Sequence, residues 1–408
     1  MGCVSSRRNG AAMNTAIPRR ALLAGALLAA GGLAGCTSPS DGASQAEGGP
    51  EAEGASFRNL DLGCDLGVAE EVRLSYATHL TLDALDDGLL LVCMASGDRL
   101  LLAPAGWEAP EGLSDDVALV RLPLDNVYLV STGMICLVEA VGALDAVSVS
   151  SVRPADSPSP DFAERLEDGR VAYGGLYRAP DYELIAARGC PLAIENTNID
   201  HVPEVRSKLE ELGVTVLMEQ SSREEHVLGR LEWIRLVGAL FGRDDEARAV
   251  FDEVAARVEA ASREEPTGKS VAFFYLNEDG AAVTRRAGDY LSQMIELAGG
   301  SYVSFSEDGA TDSSPTTVTV EMESFYASAR DADVIIYNAT VDDGVSSVEE
   351  LVSRNALLGD FRAVREGNVW TCDSTMYQQM TAMADIIEDI HRALTDSAEP
   401  TTYVWRLS

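Results

Sequence analysis

The chain has 408 residues, of which 46% are hydrophobic, and carries 66 acidic against 31 basic side chains for a formal charge of −35. So acidic a balance argues against nucleic acid as a partner and against lying flat on anionic lipid, both of which call for basic surface. Only Lys208 and Lys269 are lysines, so arginine carries nearly all the positive charge.

Near the front, Arg19-Arg20 precede the mostly apolar run Ala21–Ala34, which closes on Leu33-Ala34-Gly35-Cys36 and then gives way to polar sequence. The run is shorter than the roughly 20 residues that a membrane span needs at about 1.5 Å each. A charged lead, a short apolar core and small residues before a cut site make a secretory signal. Cys36 after Leu-Ala-Gly resembles the bacterial lipobox, whose thiol is diacylated, and Arg19-Arg20 resembles a twin-arginine signal. The start Met1-Gly2-Cys3-Val4-Ser5-Ser6 also fits N-myristoylation, but a signal directly behind it would make that redundant. Residues 1–35 are therefore expected to be removed, whether translation starts at Met1 or Met13, leaving Cys36 lipidated. The mature chain then has 27 basic and 66 acidic residues, a charge of −39. Residues 36–57, rich in Ser, Gly, Ala and Glu after the cysteine, are expected to be a disordered tether. Cys64, Cys93, Cys136, Cys190 and Cys372 form no CxxC pair and are expected to be buried thiols.

The remaining chain, about 350 residues, suggests two domains. Residues 72–103 alternate apolar runs with the turns Asp86–Gly88 and Ser96-Gly97-Asp98, predicting β-hairpins. From Asn126 the rhythm changes. NVYLV reads as a strand, STGM as a polar loop, ICLVEAVGAL as a helix and AVSVSS as a strand. PDYELIAARG is then helical, PLAIEN a strand, VPEVRSKLEELG a helix and VTVLMEQ a strand. Such alternation implies parallel pairing with right-handed crossovers.

After Gln220 the strands stop for almost fifty residues. Ser222 and Glu225 offer a capping box for a helix carrying Leu228, Leu231, Ile234, Val237 and Phe241. Gly242-Arg243-Asp244 breaks it. A second helix, about residues 244–263, puts Ala247, Val250, Phe251, Val254 and Val258 on one stripe and would reach about 30 Å. The α/β rhythm resumes with the strand SVAFFYL, the helix DYLSQMIELAGG, the strand SYVSF and the helix VEMESFYASARDA. DVIIYN, VEELVSRNALLG, NVWTC and MYQQMTAMADIIEDIHRAL follow as strand, helix, strand and closing helix. The expected fold class is α/β: two Rossmann-like lobes with mostly parallel sheets, 58–225 with leading hairpins and 268–408. A long rigid α-helix within the helical segment 226–267 joins them.

Several stretches in order, "YGGLYRAPDYELI", "CPLAIENTNIDHVPEVRSKLEELGVTVLMEQSS", "EEHVLGRLEWIRLVGALFGRDDEA" and "DADVIIYN", resemble one family over about residues 120–408. It comprises the ABC-transporter substrate-binding proteins whose lobes are joined by a single helix, including binders of ferric siderophores, haem and cobalamin. The resemblance implies a monomeric lipoprotein, anchored outside the cytoplasmic membrane of a Gram-positive cell by its lipid alone. Its partners would be a metal-chelate ligand and a permease dimer with a cytoplasmic ATPase. By position, Glu183 and Glu323, with Glu321 a rival to the latter, resemble the glutamates that meet permease arginines; as plain helix-start acids they would complement the dipole. A single linking helix further implies a small hinge motion.

In α/β lobes the ligand sits beyond the carboxyl ends of the strands. Those ends present Ser131, Thr132, Ser221 and Ser222 in the first lobe, and Asn277 and Asn338 in the second. Tyr173 and Tyr177 precede PDYE, Arg285 and Arg286 follow a second-lobe strand, and Trp370 and Tyr377 lie near the last loop. Hydroxyls, amides, aromatic faces and a few arginines suit an iron chelate or corrinoid. Trp233, within an amphipathic helix, reads as packing. A direct zinc or manganese site is the alternative, but His79, His201, His226 and His391 share no ligand spacing. No nucleotide-binding, nucleophile-elbow or HExxH motif marks an enzyme, although a chelatase or surface sensor on this fold stays open. No cofactor beyond the lipid at Cys36 and no resident metal are expected.

Overall fold

The computed structural model describes residues 55–305, 310–313, 316–342 and 344–408. The expected leader, the lipidated Cys36 and nearly all of the tether lie outside the described residues.

Apolar runs bounded by turns make the first sheet. Its strands lie in chain order: Val68–Val72, Leu80–Leu85, Leu90–Met94, Arg99–Pro104 and Val117–Leu122. The first four pair antiparallel and the fifth runs parallel to the fourth. The turn after Leu85 needs left-handed backbone at both Asp87 and Gly88, which the Asp-Asp-Gly sequence supplies. One face of this sheet, with Leu80, Leu82, Val92 and Leu100, joins the main core. The other, with Leu85, Leu91, Cys93 and Leu101, has a smaller core of its own. Burial on both faces explains why these strands read as continuous apolar runs.

The first lobe is a five-stranded, fully parallel sheet in the order Thr215–Met218, Leu192–Glu195, Val127–Leu129, Val147–Ser150, Ala172–Tyr173. The second-lobe sheet is mixed. Lys269–Leu276, Gly300–Tyr302, Val334–Tyr337 and Val369–Cys372 pair in parallel. Ala282–Arg285, Thr317–Val320, Ala310–Ser313 and Val404–Arg406 add antiparallel strands that were not expected, and Val320, read as the start of a helix, ends one of them, the helix being Met322–Ala329.

The linking helix is Asp244–Ala261, 18 residues or about 27 Å. Three acids open it, complementing its dipole, and Ala247, Phe251, Val254, Ala255, Val258 and Ala261 face the core. Gly238 in the preceding helix lets the two cross closely: a Cβ there would stand 2.6 Å from that of Ala247. Arg257 ties the linking helix to the closing helix Met383–Thr395 through Asp385 at 2.6 Å and Glu388 at 3.0 Å. One buried cluster holds Leu129 of the first lobe, Val254 of the linker and Ile336 and Ile387 of the second lobe. The apolar core is thus continuous through the junction.

Three local expectations need correction. Thr132–Met134, read as loop, are the first turn of the helix Thr132–Ala140. The proposed capping box does not form: Ser221–Arg223 is a 3₁₀ turn, and His226 caps the next helix by accepting from Leu228 N–H at 3.1 Å. That helix is also split, Val227–Glu232 then Ile234–Phe241, at fully buried Trp233.

A clamp from far along the chain lies over this split. Glu232 accepts the backbone N–H groups of Ser75, Tyr76 and Ala77 at 2.7–2.8 Å. Glu224 accepts from Thr78 N–H and hydroxyl, from His79 N–H and from the Trp233 indole. Burial pushes both carboxyls up. At Glu224 the donors outweigh it and hold the group low; at Glu232 burial wins despite the three N–H groups. Tyr76 stacks on His226 at 4.6 Å. The segment 75–79 is thereby bound across the junction.

Candidate functional site

The carboxyl ends of the first-lobe strands hold a closed polar network. Ser131, following Val127–Leu129, donates to Glu219 Oε1 at 2.7 Å, while Glu219 Oε2 accepts from Ser221 N–H at 2.8 Å. Gln220 Oε1 accepts from Ser96 N–H of the front sheet. Ser131 and Ser221, both expected to face a ligand, are buried and linked through Glu219, Ser131 by its hydroxyl and Ser221 by its backbone N–H. Thr132 is half-buried and Ser222 exposed. Tyr173 is 44% exposed, whereas Tyr177 is half-buried against the cluster of Tyr128, Ile185, Ala193 and Met218 on one face of the sheet.

On that same face Glu195 ends its strand with 0% exposure, and neither carboxylate oxygen has a hydrogen-bond partner. The buried Tyr128 hydroxyl likewise has none. Desolvation raises the Glu195 carboxyl to about 8 and drives the Tyr128 phenol up, with Glu195 adding to the latter. Sequence reading gave no sign of this pair.

In the second lobe, two expected residues serve the fold instead. Asn277 accepts the N–H groups of Asp279 and Ala281, closing a hairpin turn. Trp370 is buried in its strand, with Arg406 5.0 Å over its ring. Arg286 is half-buried beside Arg285, and its N–H donates to Thr316.

Arg285 and Tyr377 do come together. Arg285 forms a two-point pair with Asp289, at 2.9 and 2.6 Å, and stands 5.2 Å from the Tyr377 ring and 5.3 Å from that of Tyr290. Burial pulls the guanidinium down, but Tyr377, Tyr290 and Asp289 outweigh it and leave it raised. Asn338, at the end of Val334–Tyr337, donates to the Tyr377 hydroxyl at 3.0 Å. Burial raises the Tyr377 and Tyr290 phenols against the opposing pull of the arginines.

Sequence reading missed Arg230, on Val227–Glu232, which completes this group. Its guanidinium lies 4.0 Å over Tyr290 and donates to the Tyr377 carbonyl at 3.0 Å. Arg230, Tyr290, Met294, Met376, Tyr377 and Met383 line a crevice too narrow to admit a water. Beside it the loop 376–382 rests on the first lobe. Gln379 donates to the Pro158 carbonyl at 2.9 Å, and Met380 lies 3.3 Å from where a side chain at Gly133 would begin. The second-lobe strand ends and the first-lobe helix Thr132–Ala140 meet here, above the linker.

The sequence pattern of the periplasmic binding protein family matches residues 128–376. The chain belongs to the periplasmic binding protein family. An uncharacterized lipoprotein of Methanocaldococcus jannaschii is 24% identical over 317 residues, 74% of each chain. A periplasmic haem-binding protein of Pseudomonas aeruginosa superposes with a TM-score of 0.53 at 16% identity, covering 70% of this chain and 98% of its own. The petrobactin-binding protein YclQ of Bacillus subtilis gives 0.52 at 15% identity, covering 67% and 93%. Periplasmic binding proteins deliver ligands to ABC permeases. The expected two-lobed α/β fold is that of these structures.

Glu183 is exposed in the first turn of Tyr182–Arg188, and Glu323 likewise in Met322–Ala329, for which exposed Glu321 is the cap residue. Of the histidines, His79 lies 3.3 Å from Glu224, His226 caps a helix and His391 Nδ1 stands 3.1 Å from the Ala298 carbonyl. No three His, Cys, Asp or Glu side chains converge to hold a metal among the described residues. Four of the five cysteines described are buried and Cys64 half-buried, all unbridged. No described helix is long and apolar enough to cross a membrane.

Proposed function

We propose that this chain is the solute-binding lipoprotein of an ABC importer, anchored outside the cytoplasmic membrane through Cys36. It would take a metal chelate between its lobes and pass it unchanged to a permease dimer served by a cytoplasmic ATPase. The observation that carries this reading is the arginine–tyrosine crevice where the second-lobe strand ends meet the first lobe, in a chain of this family. Aromatic faces and buried guanidinium groups suit a large chelate with oxygen donors on its rim. A ferric chelate comes first, with haem and cobalamin behind it. The exposed Glu183 and Glu323, each opening a helix on its own lobe, would meet the permease.

A thermal-shift panel of ferric siderophores, haem and cobalamin tests this. A true ligand at 100 times its Kd adds about 2.7 kcal/mol to stability. No shift with any of the three classes would refute the reading.

A further inference from the structure

Three arginines in the described structure are more than nine-tenths buried: Arg99 and Arg230 at 5% exposure and Arg285 at 8%. Arg99 has a carboxylate gripping it at two points, Asp116 at 2.7–3.1 Å, and Arg285 has Asp289 at 2.6–2.9 Å. Arg230 has no acidic partner among the described residues. Its Nε is buried with nothing to donate to, and its other polar contacts are with neutral groups, the carbonyl of Tyr377 at 3.0 Å and the side chain of Tyr290. A buried ion is ordinarily paired, and the cost of leaving one unpaired is relieved when a counter-charge reaches it.

The geometry points to Arg230 as the receptor for a carboxylate of the ligand, entering the crevice between the helix Val227–Glu232 and the loop 376–383. This rests on the functional reading above and names the chemistry that its ligand must carry. The unused Nε and the adjacent Nη2 form one edge of the guanidinium fork, and a carboxylate engaging both points would share Nη2 with the Tyr377 carbonyl or take its place there. The Tyr290 face holds the guanidinium from the other side. Met294, Met376 and Met383, unbranched and adaptable, line the space that must widen. They favour a carboxylate borne on an apolar or planar stem over a compact, fully hydrated anion. The chain's charge of −35 disfavours an anion at a distance, so the attraction is confined to the crevice itself.

The experiment is calorimetric titration of wild type, Arg230→Gln and Arg230→Lys with three probes: haemin and ferric citrate, which carry free carboxylates, and cyanocobalamin, which has none. Wild type is expected to bind a carboxylate-bearing probe. Arg230→Gln should weaken it about 10- to 100-fold, and Arg230→Lys should recover only part, since lysine restores charge without the fork. Unliganded Arg230→Gln should melt at or above wild type, because a buried charge without a partner has been removed. Equal affinity of wild type and Arg230→Gln, binding of cyanocobalamin alone, or a lowered melting point in unliganded Arg230→Gln overturns the inference while the functional reading stands. Failure of wild type to bind any of these probes or any ferric siderophore overturns the reading itself, and the inference with it.

Discussion

Replacing Glu195 by glutamine should stabilise this protein at high pH and leave it unchanged at low pH. The carboxyl lies at the end of Leu192–Glu195 with both oxygens unpartnered, under a cluster that includes Ile199, Tyr177 and Tyr182. Desolvation moves it from the ordinary 4.5 to about 8. Below about pH 4.5 the group is protonated folded and unfolded, and contributes nothing. Between about 4.5 and 8 the folded chain keeps a proton that the unfolded chain releases, so stability falls as pH rises. Above 8 both states are ionised and the loss is complete. At about 1.4 kcal/mol per pH unit the whole interval is worth roughly 5 kcal/mol, an upper value because local opening lets water reach the anion. Glutamine keeps the shape and cannot ionise. Denaturant unfolding of both proteins at pH 5, 7 and 9 isolates this group, because every other buried acid is common to the pair. The glutamine variant should gain on wild type by a few kcal/mol between pH 5 and 9. A difference that does not change with pH would refute the reasoning.

Glu232→Ala strands three half-buried N–H groups of residues 75–77. At about 1 kcal/mol each the cost is about 3 kcal/mol, read from the denaturation midpoint; a loss under 1 kcal/mol would show that the clamp is replaced by water. Glu183→Ala with Glu323→Ala should abolish cellular uptake of the ligand while its affinity in solution is unchanged, and uptake at the wild-type rate would remove both from the docking surface. X-ray scattering should show little compaction when ligand is added, since the core runs unbroken through the linking helix; a large decrease in radius of gyration would mean a clamshell closure instead.

The long periodic segments were legible in the sequence because their burial is a local pattern. The linking helix shows the point: Ala247, Phe251, Val254 and Val258 occupy one stripe, and the helix occupies Asp244–Ala261. What failed was set by distant partners. Ser222 and Glu225 have the spacing of a capping box, yet the neighbouring Glu224 and Glu232 bind the backbone of residues 75–79, about 150 positions away. The polar strand Thr317–Val320 exists because Ala282–Arg285 pairs with it, which its own residues hardly signal.

The site divides in the same way. Arg285 and Tyr377 were recognisable as charged and aromatic residues in strand-end loops. Asn277 and Trp370 have equally suggestive side chains, but one closes its own turn and the other fills the core. Arg230 sits in a helix where an arginine normally reaches solvent. Only Tyr290 and Tyr377, 60 and 147 positions further on, turn it into the unpaired charge of the crevice.

The central claim is capture without chemistry. Equilibrium dialysis of the mature protein against the radiolabelled ferric chelate that raises its melting point most tests that claim directly. The account predicts one chelate held per chain and recovered intact after the protein is unfolded. A chelate recovered in altered form, or none retained, would contradict it.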